Sequence, residues 1–226
     1  MKKILTSLPA FALALLVLGA SVRADDKDVK KDDPVVKKEV PKEQPKKDEI
    51  KVAELGKPAP DFELKGLDGK AVKLSDYKGK IVVLEWFNPG CPYCEAAYDE
   101  KGPLRTLSEK LAKDGVVWIS INSQGADETG NTVDEQKAFF KEHGGLKTPL
   151  LLDPTGKVGH SYGARSTPHC FVIDAKGNLA YRGALDNAPA GKLQKGEEKL
   201  TNWVEAAIGE LKASKPVTKT ETKSYG

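Results

Sequence analysis

Cys91 and Cys94 stand with only Pro92-Tyr93 between them, directly after the apolar run 81–86 and at the start of a helical stretch. Two cysteines so spaced close a small disulfide when both lie in the first turn of a helix. The unpaired backbone N–H groups and the positive end of the dipole there favour a thiolate on the first sulfur. A thiolate beside a second thiol is what disulfide exchange requires. Half of a zinc site is the rival reading. It needs a second Cys/His pair, and the chain offers only Cys170 and three scattered histidines. A strand followed by CxxC is the context of a redox motif, so redox chemistry is preferred.

The elements that would position this pair can be read along residues 51–213, long enough for one ordinary domain with its own core. Residues 62–64 and 71–74 flank Asp68-Gly69 as a short hairpin. The run 81–86 is nearly continuous apolar sequence, as in a strand covered on both faces. After the cysteines, Leu104, Leu107 and Leu111 recur at helical spacing, with Gly102-Pro103 as a break. Residues 116–121 form the next strand, and Thr132-x-x-Glu135 is a capping box for a helix ending at Gly144-Gly145. Residues 150–152, 170–173 and 179–181 are three further strands. Leu200, Trp203, Val204, Ala207, Ile208 and Leu211 predict an amphipathic helix. Strands alternating with helices and closing in a hairpin and a helix argue for a mixed sheet with helices on both faces.

Three motifs now stand in order: Gly56-x-x-Ala59-Pro60-Asp61-Phe62 with Leu74-Ser75-Asp76-Tyr77-x-Gly79-Lys80; Trp86 through Cys94; and Tyr162-Gly163 through Thr167-Pro168-His169 into Asp174 and Gly177. Together they resemble the thioredoxin-like superfamily, in its redoxin (AhpC/TSA-like, TlpA-like) branch of exported thiol–disulfide oxidoreductases. The likeness spans about residues 55–212 and implies an α/β fold. That fold is a three-layer α/β/α sandwich with a mixed central sheet and an N-terminal β-hairpin extension.

The resemblance also implies roles. Pro168 is expected in the cis form against the CxxC pair, with Thr167 offering its backbone to a substrate chain. Cys91 is the expected nucleophile and the more exposed cysteine, and Cys94 resolves the mixed disulfide. Trp86, Phe87 and Tyr93 are candidates for an apolar rim, with core packing the preferred reading for Trp86. Thioredoxins carry a buried carboxylate at the spacing of Glu85. Held there, Glu85 would have a raised pKa and relay the proton of Cys94; a strand-end glutamate tipped into solvent is the alternative. Cys170 reads as core. Of His143, His160 and His169, only His169 is expected near the sulfurs.

Rival functions stay in view. Peroxidases of this branch carry threonine three residues before their reactive cysteine, where this chain has Asn88. A copper-binding metallochaperone would use both thiolates with His160 or His169 as a third ligand. A binding module with a vestigial site fits poorly, since both cysteines are present. No cofactor or resident metal is expected. The partners expected are protein thiols and disulfides and a redox partner, and the chain is expected to be a monomer. The formal net charge of +3 on 226 residues gives no case for nucleic acid.

Residues 1–24 read as a signal peptide: Lys2 and Lys3, an apolar stretch from 4 to 20, and Val22-Arg23-Ala24 as the cleavage site. Cleavage is preferred over an uncleaved membrane anchor, the one case in which the chain would touch a membrane. Residues 25–52, rich in Lys, Asp, Glu and Pro, cannot bury enough apolar surface to fold and read as a charged disordered linker. The domain is expected over 53–213 and a C-terminal tail over 214–226. The chain is accordingly expected to be periplasmic or secreted.

Overall fold

The computed structural model describes residues 52–125 and 131–226. The signal peptide expected over 1–24 and nearly all of the linker expected over 25–52 lie outside the described residues.

Seven strands form one sheet: β1 (Glu63–Gly66), β2 (Ala71–Lys73), β3 (Val82–Trp86), β4 (Val117–Asn122), β5 (Leu150–Leu152), β6 (His169–Ile173) and β7 (Leu179–Gly183). Their order is β2-β1-β5-β4-β3-β6-β7. The inner strands β3, β4 and β5 are parallel, and the remaining pairs are antiparallel. This is the mixed α/β sheet with a leading hairpin that the sequence predicts. All five residues of β3 are buried, which is why its sequence lacks polar alternation.

Five helices accompany the sheet: α1 (Pro92–Tyr98), α2 (Leu104–Lys113), α3 (Val133–Glu142), α4 (Lys157–Tyr162) and α5 (Trp203–Lys212). The two faces of β3 sort the core by alternation. Val83 and Phe87 share a cluster with Cys94, Leu107, Trp118, Phe139, Cys170 and Ile208, so α1, α2, α3 and α5 cover that face. Val82, Leu84 and Trp86 pack on the other face with Phe171, Val158 and Tyr162, under α4 and the 3-10 turn Leu74–Tyr77. The parallel crossovers β3–β4 and β4–β5 both put their helices on the first face, as a constant right-handed connection dictates. The layers are therefore unequal, four helices against one short one.

Local chemistry sets the helix ends. At α3 the capping box forms as predicted: Glu135 N–H donates to Thr132 Oγ1 at 3.2 Å and Thr132 N–H to Glu135 Oε2 at 3.0 Å. Between α1 and α2, Gly102 lies so close to the Ala97 carbonyl that a Cβ would overlap it, so the break there requires glycine. The last helix starts later than expected. Asn202 caps it by accepting the Glu205 N–H at 2.9 Å, and Leu200, predicted on its apolar face, lies outside it and is 62% exposed.

Segment 214–226 is packed along the domain. Thr222 N–H donates to the Arg182 carbonyl at 3.1 Å and Arg182 N–H to the Thr220 carbonyl at 3.0 Å, adding backbone to the free edge of β7. Val217 and Tyr225 pack against the core cluster.

Candidate active site

The cysteine pair sits where β3 hands over to α1. Phe87 N–H still donates to the Ile121 carbonyl at 2.9 Å, extending the ladder by one residue. Asn88 then turns the chain, its carbonyl accepting Cys91 N–H at 3.1 Å and its Oδ1 accepting Gly90 N–H at 2.7 Å. Cys91 is the N-cap of α1, and Pro92 takes the first helical position, where the absent N–H costs nothing.

The two sulfurs occupy different environments. Cys94 is fully buried, and Cys91 retains 9% exposure. All three cysteines, Cys170 included, are free thiols. The Cys94 thiol, hydrogen-bonded to Cys91, is the main cause that brings Cys91 down to about 5, with the N–H groups of Cys94 and Tyr93 adding to it against partial burial. Cys94 is pushed up, first by burial, then by Cys91 and by the charge of Glu85.

Cys91 also meets the loop before β6. In its protonated form its S–H donates to the Thr167 carbonyl at 2.9 Å, and the Thr167–Pro168 bond is cis. Cys170 pairs with Glu85 across β6 and β3, fully buried, and burial pushes its thiol up. His169, one residue earlier, faces the opposite side of the sheet. Its ring packs on Phe171 with centroids 4.5 Å apart, and burial, with Arg182 and Arg165 nearby, brings it down to about 4. His169 is thus not beside the sulfurs, contrary to expectation.

Glu85 is fully buried rather than tipped into solvent. Its Oε2 accepts from Tyr98 Oη at 2.7 Å, Trp118 Nε1 at 2.9 Å and Ser120 Oγ at 3.0 Å, while Oε1 has no hydrogen-bond partner. Burial raises its pKa and the three donors oppose that rise. The three were not foreseen. Trp118 and Ser120 alternate along β4, with Ser120 paired to Glu85, and Tyr98 projects from α1; only the observed register brings them to one carboxylate.

The expected apolar rim divides. Tyr93 is 36% exposed beside the pair. Phe87 is 1% exposed, its ring edge-on to Phe139 at 5.0 Å and Tyr98 at 5.6 Å, so it is packed in the core rather than presented on a rim. The reason is alternation: Phe87 continues β3 by one residue and points to the helix-covered face. Trp86, on the other face, is core as expected and donates from Nε1 to Ser123 Oγ at 2.9 Å. Among the described residues, no group of three or more His, Cys, Asp and Glu is placed to hold a metal ion.

This geometry supplies an acidic thiol that keeps some exposure, a fully buried thiol of raised pKa behind it, a buried carboxylate on the same face of β3 and the backbone of Thr167 alongside. One of the proteins that the chain resembles carries this chemistry in its name. The thiol–disulfide oxidoreductase ResA of Bacillus thuringiensis subsp. konkukian is 36% identical over 126 residues, covering 56% of this chain and 67% of that protein. The thioredoxin-like protein YneN of Bacillus subtilis is 30% identical over 131 residues, covering 58% of this chain and 71% of its own. A hypothetical protein from Sinorhizobium meliloti superposes with a TM-score of 0.66 at 27% identity, over 76% of this chain and 92% of that one. The model of the AhpC/TSA family matches residues 55–182, and the chain belongs to that family.

Proposed function

We propose that this chain is an exported enzyme that exchanges disulfides with protein substrates through Cys91 and Cys94. The observation that carries the reading is the placement of Cys91 at the N-cap of α1 against the Thr167 carbonyl with Cys94 fully buried behind it, which brings Cys91 down to about 5 and pushes Cys94 up. At neutral pH this leaves Cys91 as thiolate and Cys94 as thiol, the protonation state that nucleophilic attack needs.

The Cys91 thiolate attacks one sulfur of a substrate disulfide, forming the Cys91–substrate bond and releasing the other substrate sulfur as thiolate. Glu85 then takes the proton of Cys94, whose sulfur attacks Cys91 and expels the second substrate thiolate. The substrate gains two electrons and the Cys91–Cys94 disulfide forms. A dithiol of lower potential restores the pair, and the same steps reversed would oxidise a substrate. Thr167 pairs with the substrate backbone as an added strand, and Pro168 holds that loop against Cys91. Tyr93 supplies the exposed apolar surface.

Export rests on residues 1–24 as a cleaved signal peptide and 25–52 as a linker carrying the domain, with a periplasmic or secreted destination. Among the described residues no helix is long and apolar enough to cross a membrane. The peroxidase alternative is disfavoured by Asn88. Copper binding is disfavoured because, among the described residues, neither His160 nor His169 joins the two cysteines in a group of three placed to hold a metal ion.

The test is to trap the intermediate. Cys94→Ala should accumulate a mixed disulfide with an unfolded, disulfide-bonded protein, and Cys91→Ala should form none. Equal trapping by both variants would overturn the assignment.

A further inference from the structure

Segment 217–226 ends on the site itself. Its root is tied to α5, where Thr218 N–H donates to Glu210 Oε2 at 2.9 Å. Its middle is laddered to Arg182 of β7, with Arg182 Nε donating to Glu221 Oε1 at 2.8 Å. Thr222 Oγ1 accepts Ala184 N–H at 2.9 Å and lies 2.6 Å from Tyr181 Oη. Gly183 makes this close approach feasible, since a Cβ there would overlap Thr222. The tip is Tyr225-Gly226. The Tyr225 ring lies on the Tyr93 ring with centroids 5.7 Å apart, and its hydroxyl donates to Asp186 Oδ1 at 2.8 Å. Gly226 rests on the backbone of Thr167, close enough that a Cβ would overlap the Thr167 carbonyl.

Thr167 is the residue whose backbone the substrate chain is to pair with, and its carbonyl already faces Cys91 Sγ. Tyr93 is the exposed apolar surface beside the same sulfur. The tip therefore covers both features that an incoming extended chain would use. An added strand needs the Thr167 backbone for itself, because strand addition draws its affinity from main-chain hydrogen bonds.

We propose that segment 217–226 is an intramolecular strap seated in the substrate groove, and that an extended protein segment reaches Thr167 and Cys91 only after Tyr225-Gly226 has lifted away. This rests on the disulfide-exchange reading above. The hold is graded along the strap: the root is tied to the Glu210 carboxylate and the middle has a backbone ladder and a charged pair, whereas the tip rests on the packing of the Tyr225 ring, one side-chain hydrogen bond and the close approach of Gly226 to Thr167. The tip is the part that opens while the rest stays docked. A small disulfide needs no strand addition, so the strap selects against extended protein chains and leaves small disulfides unaffected.

The test compares the full chain with Tyr225→Ala and, separately, Gly226→Glu, whose side chain would meet the Thr167 backbone and force the tip off. Both variants leave Cys91, Cys94 and Glu85 in place, and thermal melting verifies their fold. For a disulfide-bonded unfolded protein, KM should fall by about tenfold with kcat unchanged, the size expected for losing one ring contact and one hydrogen bond that compete with substrate. The rate with a small aromatic disulfide should not move. An unchanged or raised KM in both variants, with Cys91 still reacting with the small disulfide, would overturn the strap alone. Loss of reaction with both substrates in the full chain and the variants would overturn the exchange reading and the strap with it.

Discussion

Glu85 and Cys94 are both fully buried, and the carboxylate's charge adds to burial in holding the Cys94 proton. Three donors share Oε2 and leave Oε1 unpartnered, so the carboxylate is ready to accept one more proton. A buried acceptor without a donor is costly, and its retention beside a reactive thiol fits a group that takes a proton during the cycle.

Glu85→Gln should therefore slow the resolving step about 100-fold, the lower end of what a positioned base contributes. The titration of Cys91 should stay where it is. Single-turnover decay of the mixed disulfide, followed by quenching and mass analysis, reads the first quantity, and the pH dependence of Cys91 alkylation reads the second. Equal rates of decay in the two proteins would remove Glu85 from the proton path.

Tyr98→Phe deletes the 2.7 Å donor to Glu85 while keeping the ring that packs on Phe87. Losing a donor to the charged form should raise the pKa of Glu85 further. Stability should fall by about 1–3 kcal/mol, the worth of one buried hydrogen bond to a carboxyl that keeps its Trp118 and Ser120 donors. Chemical denaturation of the reduced protein measures it.

The thiolate of Cys91 should titrate near pH 5 in the reduced protein, read by its ultraviolet absorbance. Cys94→Ala removes the main donor and should move the midpoint up. The folded pKa lies below the ordinary 9.0, so the thiolate stabilises the reduced fold above the unfolded value. That contribution should be lost as pH falls from about 9 to about 5. The stability difference between the reduced protein and Cys91→Ala should shrink over that window.

Phe87 and Tyr93 should behave oppositely. Phe87→Ala opens a cavity between β3 and α3 and should cost about 3–5 kcal/mol. Tyr93→Ala, at a 36% exposed position, loses chiefly its ring contact with Tyr225 and should cost no more than about 1.5 kcal/mol, its main effect falling on the KM for a protein substrate, where loss of the apolar surface opposes release of the strap tip. Denaturation and KM measured on both variants separate the roles.

The strand β3 and the CxxC turn were legible because burial on both faces leaves an unbroken apolar run, and a following Pro at the first helical position marks the turn. Helix α4 was not. Its six residues run between Gly156 and Gly163, both in the left-handed region, and offer only Val158 and Tyr162 as an apolar pair, too little for periodicity to register. Leu200 was placed in α5 by apolar spacing, although Asn202-x-x-Glu205 already marked the cap two residues later. Phe87 was misplaced because the strand was taken to end at Trp86, and one more residue of ladder decides which face it joins. The docking of segment 214–226 was not readable at all. Its lysines and threonines look like solvated tail, and its fit depends on Gly183 and on the distant pairs Tyr93–Tyr225 and Asp186–Tyr225.

The central claim is that Cys91 and Cys94 form a reversible redox pair, and its most direct measurement is the reduction potential of the protein equilibrated in thiol/disulfide buffers, with Cys91→Ala as control. A Cys91 thiolate stable near pH 5 stabilises the reduced form. The account therefore predicts a two-electron transition less negative than about −270 mV, the thioredoxin value, and no more oxidising than about −120 mV. No reversible transition, or one that persists in Cys91→Ala, would contradict it.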